Sequence, residues 1–209
     1  MLPATLPLFP LPNVVLFPSV CLPLHIFEAR YREMVSDALD GDRIIGMVLL
    51  RPGWEGDYEG RPEIYPVGCA GLITHADRTS DGRYNLVLRG FQKFRVRRED
   101  HSRSYRVAEI ETLLEPLSEA DRERMRAERQ RLERLLVPQP AGRGVDPKMP
   151  PSMPDEELVN ALAQYLDLEV VEKQALLERD GLVDRCRSLI DLLEMKVLSA
   201  KHDWRSNNC

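Results

Sequence analysis

Residues 6–39 read LPLFPLPNVVLFPSVCLPLHIFEARYREMVSDAL, and a change of period inside this stretch decides the fold class. Up to Ile26 the segment is apolar but punctuated by Pro7, Pro10, Pro12 and Pro18. Proline has no amide donor and clashes with the preceding helical turn, so the segment reads as extended strands and not as a helix. Val14 to Phe17 is expected as a buried strand, held to an edge or a short ladder by Pro12 and Pro18. From Glu28 the period becomes helical. Tyr31, Met34, Val35, Ala38 and Leu39 recur on one face, and Gly41 stands where a left-handed cap would end the helix.

Working outward, strand signals follow at Ile44–Leu50, in GCAGLITHA (68–76), at Tyr84–Arg89, at Phe91–Arg97 after a break at Gly90, and at Tyr105–Leu113. Asp81-Gly82 is a turn, and Arg51–Pro66 is a loop rich in glycine and proline. Many strands with one early helix imply a mostly antiparallel, strongly bent sheet or a small barrel. Past Pro116 the pattern is helical, over 118–137, 155–166, 169–178 and 182–200, with Ser118 and Asp121 resembling a capping box. A proline-rich loop, 138–154, interrupts the series. The expected class is α+β: a β-rich pseudo-barrel subdomain with one helix over residues 1–116, then an all-helical subdomain over 117–209.

The 209 residues are 43% hydrophobic and 30% charged, a globular composition, with a net charge of −5 that disfavours bulk attraction to nucleic acid or anionic lipid. No Lys or Arg precedes Arg30 and no apolar run approaches a membrane span, so neither a secretory signal nor a membrane helix is expected. Cys21, Cys69, Cys186 and Cys209 are widely spaced, without a C-x-x-C pair, which fits a reducing cytoplasm better than a disulfide scaffold or a local zinc site.

The opening block resembles the N-terminal domain of the Lon ATP-dependent proteases. The likeness continues through IIGMVLL, VGCAGLI, DGRYNLVLRGFQKFRV and KQALLERDGLVDRCRSLIDLLEMKV, nearly the whole chain. It implies a PUA-like β-rich subdomain followed by helices, contributing to substrate recognition and not to peptide-bond cleavage. There is no G-x-x-x-x-G-K-[ST] motif for nucleotide phosphates. The expectation is a stand-alone Lon-type recognition protein without ATPase or protease domains.

Candidate chemistry is sparse. Ser19, His25 and Glu28 lie near one another, but no G-x-S-x-G elbow accompanies them, so no catalytic residue and no cofactor are assigned. Cys21 with His25, and Cys69 with His75, lack the paired short spacings of a zinc site, so no metal ligand is assigned. Glu28, Arg30 and Tyr31 could form a site at a helix N-terminus; the preferred reading is a dipole-favoured carboxylate beside an inward-packed tyrosine.

Two surfaces carry more weight. Trp54, Tyr58 and Tyr65, in the loop 51–66, are the first candidates for partner contact, since aromatics bring large area with few rotors. Residues 83–106 hold eight basic side chains against Glu99 and Asp100, and alternation places Lys93, Arg95 and Arg97 on one strand face opposite Phe94 and Val96. The leading expectation is therefore non-enzymatic capture of unfolded or partly folded polypeptide, with an ATP-dependent protease as a further partner. The alternative is a PUA-like RNA-binding module using that basic strand. Oligomeric state is left open.

Overall fold

The computed structural model describes residues 2–58, 60–136 and 153–206, so all but the last two residues of the proline-rich stretch 138–154 lie outside the described residues. Six strands form one mixed sheet: β1 (Thr5–Leu11), β2 (Cys21–Ile26), β3 (Ile44–Leu49), β4 (Val67–Arg78), β5 (Tyr84–Asp100) and β6 (Arg106–Leu113). Their order is β2-β5-β4-β3-β1-β6, and β5 also pairs with β6, so the pairing closes on itself through every strand but β2. All pairings are antiparallel except β1 with β3. That parallel pair needs a long connection, which β2 and helix α1 (Ala29–Asp40) supply.

Strand β1 is paired on both sides despite Pro7 and Pro10, and the alternation of ladder bonds explains how. Ile110 N donates to Ala4 O at 3.0 Å, and Leu6 and Leu8 continue that register opposite Ala108 and Arg106. Even-numbered residues therefore face β6 and odd-numbered ones face β3. Pro7 faces β3 just before their pairing starts at Leu8, and Pro10 faces the β6 side after that pairing has ended. The missing amide of each falls where no established ladder pair needs it.

The expected strand at Val14–Phe17 is absent. Those residues cross the sheet as an irregular strap in which Val15, Leu16 and Phe17 are buried. Ser19, at φ 64°, donates its N–H to Gly90 O at 2.8 Å, and Gly90 N donates to Val20 O at 2.9 Å. Gly90 does not end a strand, as the sequence had suggested. It lies within the continuous β5, and a β-carbon there would stand 2.2 Å from Phe17 O, so only glycine admits the strap. Helix α1 buries Tyr31, Met34, Val35 and Ala38 as expected, yet Gly41 is not left-handed. Arg43 takes that conformation two residues later and donates its N–H to Ala38 O at 2.8 Å.

The chain divides into two compact units. One comprises Met1–Leu114 with Asn160–Glu178, the other Glu115–Val159 with Arg179–Cys209. This differs from a single cut at 116, because the end of α3 (Asp155–Tyr165) and all of α4 (Val170–Leu177) group with the sheet. Polar bonds tie them there: Phe17 N donates to Gln164 Oε1 at 3.3 Å, and buried Gln174 donates from Nε2 to Val67 O at 2.9 Å. Inside the ring of strands, Leu6, Leu8, Val48, Ala70, Phe94 and Ala108 form a buried cluster.

The other unit contains α2 (Glu119–Leu136) and α5 (Leu182–Ser206). Met125 and Leu132 of α2 are buried there, as are Leu182, Val183, Cys186, Leu189 and Ile190 of α5. Ser118 and Asp121 cap α2 reciprocally: Asp121 N donates to Ser118 Oγ at 3.1 Å, and Ser118 N to Asp121 Oδ2 at 3.2 Å. Burial along α5 stops earlier than its apolar spacing suggested, since Met195, Val197 and Leu198 are exposed. Among the described residues, no helix is long and apolar enough to cross a membrane.

Candidate functional site

The loop after β3 folds back onto the start of α1. Trp54 opens a short 3₁₀ turn, Trp54–Asp57, and its ring meets Tyr58 edge-on with centroids 5.6 Å apart. Tyr58 OH donates to Glu28 Oε1 at 2.7 Å, Arg30 Nη2 donates to Tyr58 O at 3.2 Å, and Arg30 Nε donates to Glu28 Oε2 at 3.0 Å. The Arg30 guanidinium also lies 4.7 Å from the Tyr31 ring centroid and 5.3 Å from that of Tyr58. Glu28 thus does more than favour the helix dipole, because it links α1 to the aromatic loop. Tyr65 stands apart from this group, with Arg51 5.2 Å from its ring centroid.

Beside Tyr58 is a cavity of about 190 Å³, lined by Arg30, Tyr31, Tyr58, Arg61, Tyr105 and Arg106 among others. Arg61 donates to two main-chain carbonyls, Asp100 O at 3.5 Å and Arg103 O at 3.2 Å. Arg106, only 6% exposed, donates from Nη2 to Pro62 O at 2.5 Å and has Glu99 Oε1 3.5 Å from its Nη1. Burial lowers the Arg106 pKa below the ordinary arginine value; Glu99 opposes that shift, while the Arg61 and Arg30 charges add to it. Burial also pushes the Tyr31 phenol up to about 12 and, with Glu28 alongside, raises that of Tyr58.

Arg30 was visible in the sequence as part of FEARY, but Arg61 and Arg106 were not connected to it. They lie far apart in the chain and share no motif with it. Only closure of β6 against β1 and the return of the 51–66 loop bring the three together.

The basic strand is less available than alternation suggested. Lys93 is 3% exposed, so it does not share an open face with the other two. Arg95 is half-buried opposite Glu111, and Arg97 forms an ion pair with Glu111. Arg98 pairs with Glu109 in the same way. Register shifts at Ala70/Gly71 and Val96/Arg98 break the period of two, and the neutralising acids come from β6, beyond the basic run. With Asp81 on Arg83 and Asp37 on Arg103, four acids outside the run reduce its +6 local charge to +2.

A further groove of about 370 Å³ runs over Pro23, Leu24, His25, His75, Asn85, Leu86 and Val87 on β2, β4 and β5. His25 Nδ1 and Asn85 Oδ1 are 2.7 Å apart, and His75 Nε2 lies 2.8 Å from Asp77 Oδ2. Neither histidine belongs to a metal-binding group or a nucleophile–base arrangement among the described residues. The outer edge of β2 is guarded. The bond from Gly90 N to Val20 O makes residues 20, 22, 24 and 26 the ones bonded toward β5, which turns Pro23 outward without a donor. Tyr165 OH covers Cys21 O on the same edge at 3.1 Å.

The family model for the substrate-binding domain of the ATP-dependent protease La (LON) matches residues 5–195. The chain belongs to the Lon substrate-binding domain family. It is 31% identical over 184 residues to Lon protease 2 of Syntrophobacter fumaroxidans, covering 85% of this chain and 22% of that protein. With the Lon protease of Flavobacterium johnsoniae it shares 26% identity over 219 residues, covering 98% of this chain and 26% of the relative. The chain thus spans about a quarter of the length of these curated relatives, which are bacterial Lon proteases. Among solved structures, a Lon N-terminal domain protein from Xanthomonas campestris matches with TM-score 0.60 and 25% identity over 90% of this chain and 97% of that one. The N-terminal domain of a Mycobacterium avium complex Lon protease has the same fold, with TM-score 0.63 at 16% identity over 91% and 98% of the two chains. The α+β class expected for a Lon-type domain is therefore the observed one.

Proposed function

We propose that this Lon-type domain recognises unfolded or partly folded polypeptide without chemistry of its own and presents it to an ATP-dependent protease. The match of the substrate-binding domain model across residues 5–195 carries the reading. Two surface features support it. Trp54 and Tyr58 stand together beside the arginine-lined cavity, where a bound chain could cover the half-buried rings. The groove over Leu24, Leu86 and Val87 offers apolar area, with exposed Phe27 next to β2. Affinity would come from side-chain burial and not from strand addition, because Pro23 and Tyr165 guard the edge of β2.

The test is direct titration of the protein into labelled unfolded polypeptide and, in parallel, single-stranded RNA, at low and physiological salt. Salt-tolerant polypeptide binding, weakened by Trp54→Ala and Tyr58→Ala in a folded protein, is the expected result. Binding to RNA alone, with a steep salt dependence, would refute it and restore the basic-strand alternative. Polypeptide binding untouched by both substitutions would move the contact away from the aromatic loop.

A further inference from the structure

We propose that the cavity beside Tyr58 seats a carboxylate of the bound polypeptide between the guanidinium groups of Arg61 and Arg106. This rests on the polypeptide-binding reading above and names the chemical group that the site selects. Charge balance is the first argument. Arg30, Arg61 and Arg106 line the cavity, while Glu28 is ion-paired to Arg30 and Glu99 stands 3.5 Å from Arg106. Among the described side chains that line the cavity as arginines or ion-pair with them, one positive charge is left over. A singly charged carboxylate balances it, whereas a doubly charged phosphate would leave a net negative charge in a partly buried site.

The donors available make the second argument. Three hydroxyl groups around the cavity already have acceptors: Tyr58 OH bonds Glu28 at 2.7 Å, Ser104 Oγ bonds Glu33 at 2.7 Å, and Tyr105 OH bonds Asp37 at 2.6 Å. Arg61 has no carboxylate among its contacts with described residues and makes only two long bonds to main-chain oxygens. Arg106 Nη1 is buried without a hydrogen-bond partner among the described residues, Glu99 Oε1 standing 3.5 Å away. An N–H in that position has lost its water and gains most from an acceptor, above all a charged one. Pro10, Tyr31 and Leu50 form apolar parts of the wall, which lower the local dielectric and strengthen such a pair relative to open water.

The carboxylate can belong to an acidic side chain or to the C-terminus of the polypeptide. Three matched unfolded peptides separate the sources: one with acidic residues and an amidated end, one with a free C-terminal carboxylate and no acidic residue, and one with neither. Fluorescence anisotropy is expected to show at least one carboxylate peptide binding about tenfold more tightly than the neutral one. The peptide that shows the gain identifies the source. Arg61→Ala is expected to remove most of this advantage, weakening the carboxylate peptide about tenfold more than the neutral one. Arg61 is the residue to change because its bonds are near the surface, whereas buried Arg106 also holds Pro62.

Equal binding of all three peptides, or an Arg61→Ala loss shared equally by all of them, overturns the carboxylate site and leaves the polypeptide reading standing. If no peptide binds, the polypeptide reading falls and the pocket is judged by titrating acetate against the side-chain NMR signals of Arg61 and Arg106. Saturable shifts at both would uphold the anion site, and their absence would overturn it. Displacement of acetate by an equal concentration of inorganic phosphate would overturn the choice of a monoanion.

Discussion

Changing Gly90 to alanine tests the most exacting contact in the sheet-bearing unit. An added β-carbon would lie 2.2 Å from Phe17 O, 3.0 Å from the Phe17 carbonyl carbon and 3.1 Å from Leu16 Cγ. Two of those atoms are main chain, so no side-chain rotation relieves the clash, and the strap must lift from β5. Lifting it endangers the bonds from Ser19 N to Gly90 O and from Gly90 N to Val20 O, each contributing about 1 kcal/mol. Forcing an extra methyl into a packed core costs a further 1–3 kcal/mol or so. The total is about 3–5 kcal/mol, or a fall in Tm on the order of 10 °C for a chain of this size. Urea unfolding followed by circular dichroism measures it, with Gly56→Ala as the control. A β-carbon at Gly56 meets nothing within 4 Å, and that variant should stay within about 0.5 kcal/mol of the parent. A Gly90→Ala midpoint equally close to the parent would falsify the claim that the strap's main chain crosses directly over this glycine.

Three further outcomes are expected. In the helical unit, Arg185 is fully buried and its Nη2 bonds Glu115 at 2.6 and 2.8 Å. Arg185→Ala and Arg185→Met both remove the guanidinium from Glu115, so each should cost about 3–5 kcal/mol, read from denaturant midpoints; a Met cost far below the Ala cost would show that lost packing, not the broken ion pair, dominates. Burial pushes the Cys186 thiol up to about 12 from 9.0, and the Tyr31 and Tyr105 phenols up to about 12 from 10.0. All three folded values are raised, so their stabilisation is complete below about pH 9 and is lost between about pH 9 and 12, as the unfolded chain releases these protons first; urea midpoints that stay level across that window would contradict it. Of the three cysteines placed in the structure, exposed Cys21 should be alkylated by iodoacetamide in native protein, while buried Cys69 and Cys186 should react only on unfolding, as peptide mass mapping would reveal.

Short-range chemistry was legible without the fold. The α1 face, the Asp81-Gly82 turn with Gly82 at φ 80°, and the Ser118–Asp121 cap each depend on residues within a turn or two of one another. The same holds for the strands whose apolar runs are bounded by glycine, proline or aspartate. Reading failed where a distant segment overruled local preference. Val14–Phe17 has strand-like residues, but β5 and the strap meet through Gly90, so the segment is buried as irregular chain. Gly90 looked like a strand breaker because its true reason, the Phe17 carbonyl, lies more than seventy residues away in sequence.

The candidate site follows the same division. The family likeness implied recognition and not catalysis, and the aromatic loop and FEARY were each visible as local features. Their union through Tyr58 and Glu28 was not, nor was the addition of Arg61 and Arg106, nor the cancellation of Arg97 and Arg98 by acids of β6. By itself the sequence determined most of the elements, the class and the family likeness, because periodicity and turn chemistry are written in near neighbours. Which charges face one another, and which are left without a countercharge, was decided only by sheet closure and loop return. Coulomb interactions and desolvation depend on distance in space, and the spacing of residues along a chain does not carry that distance.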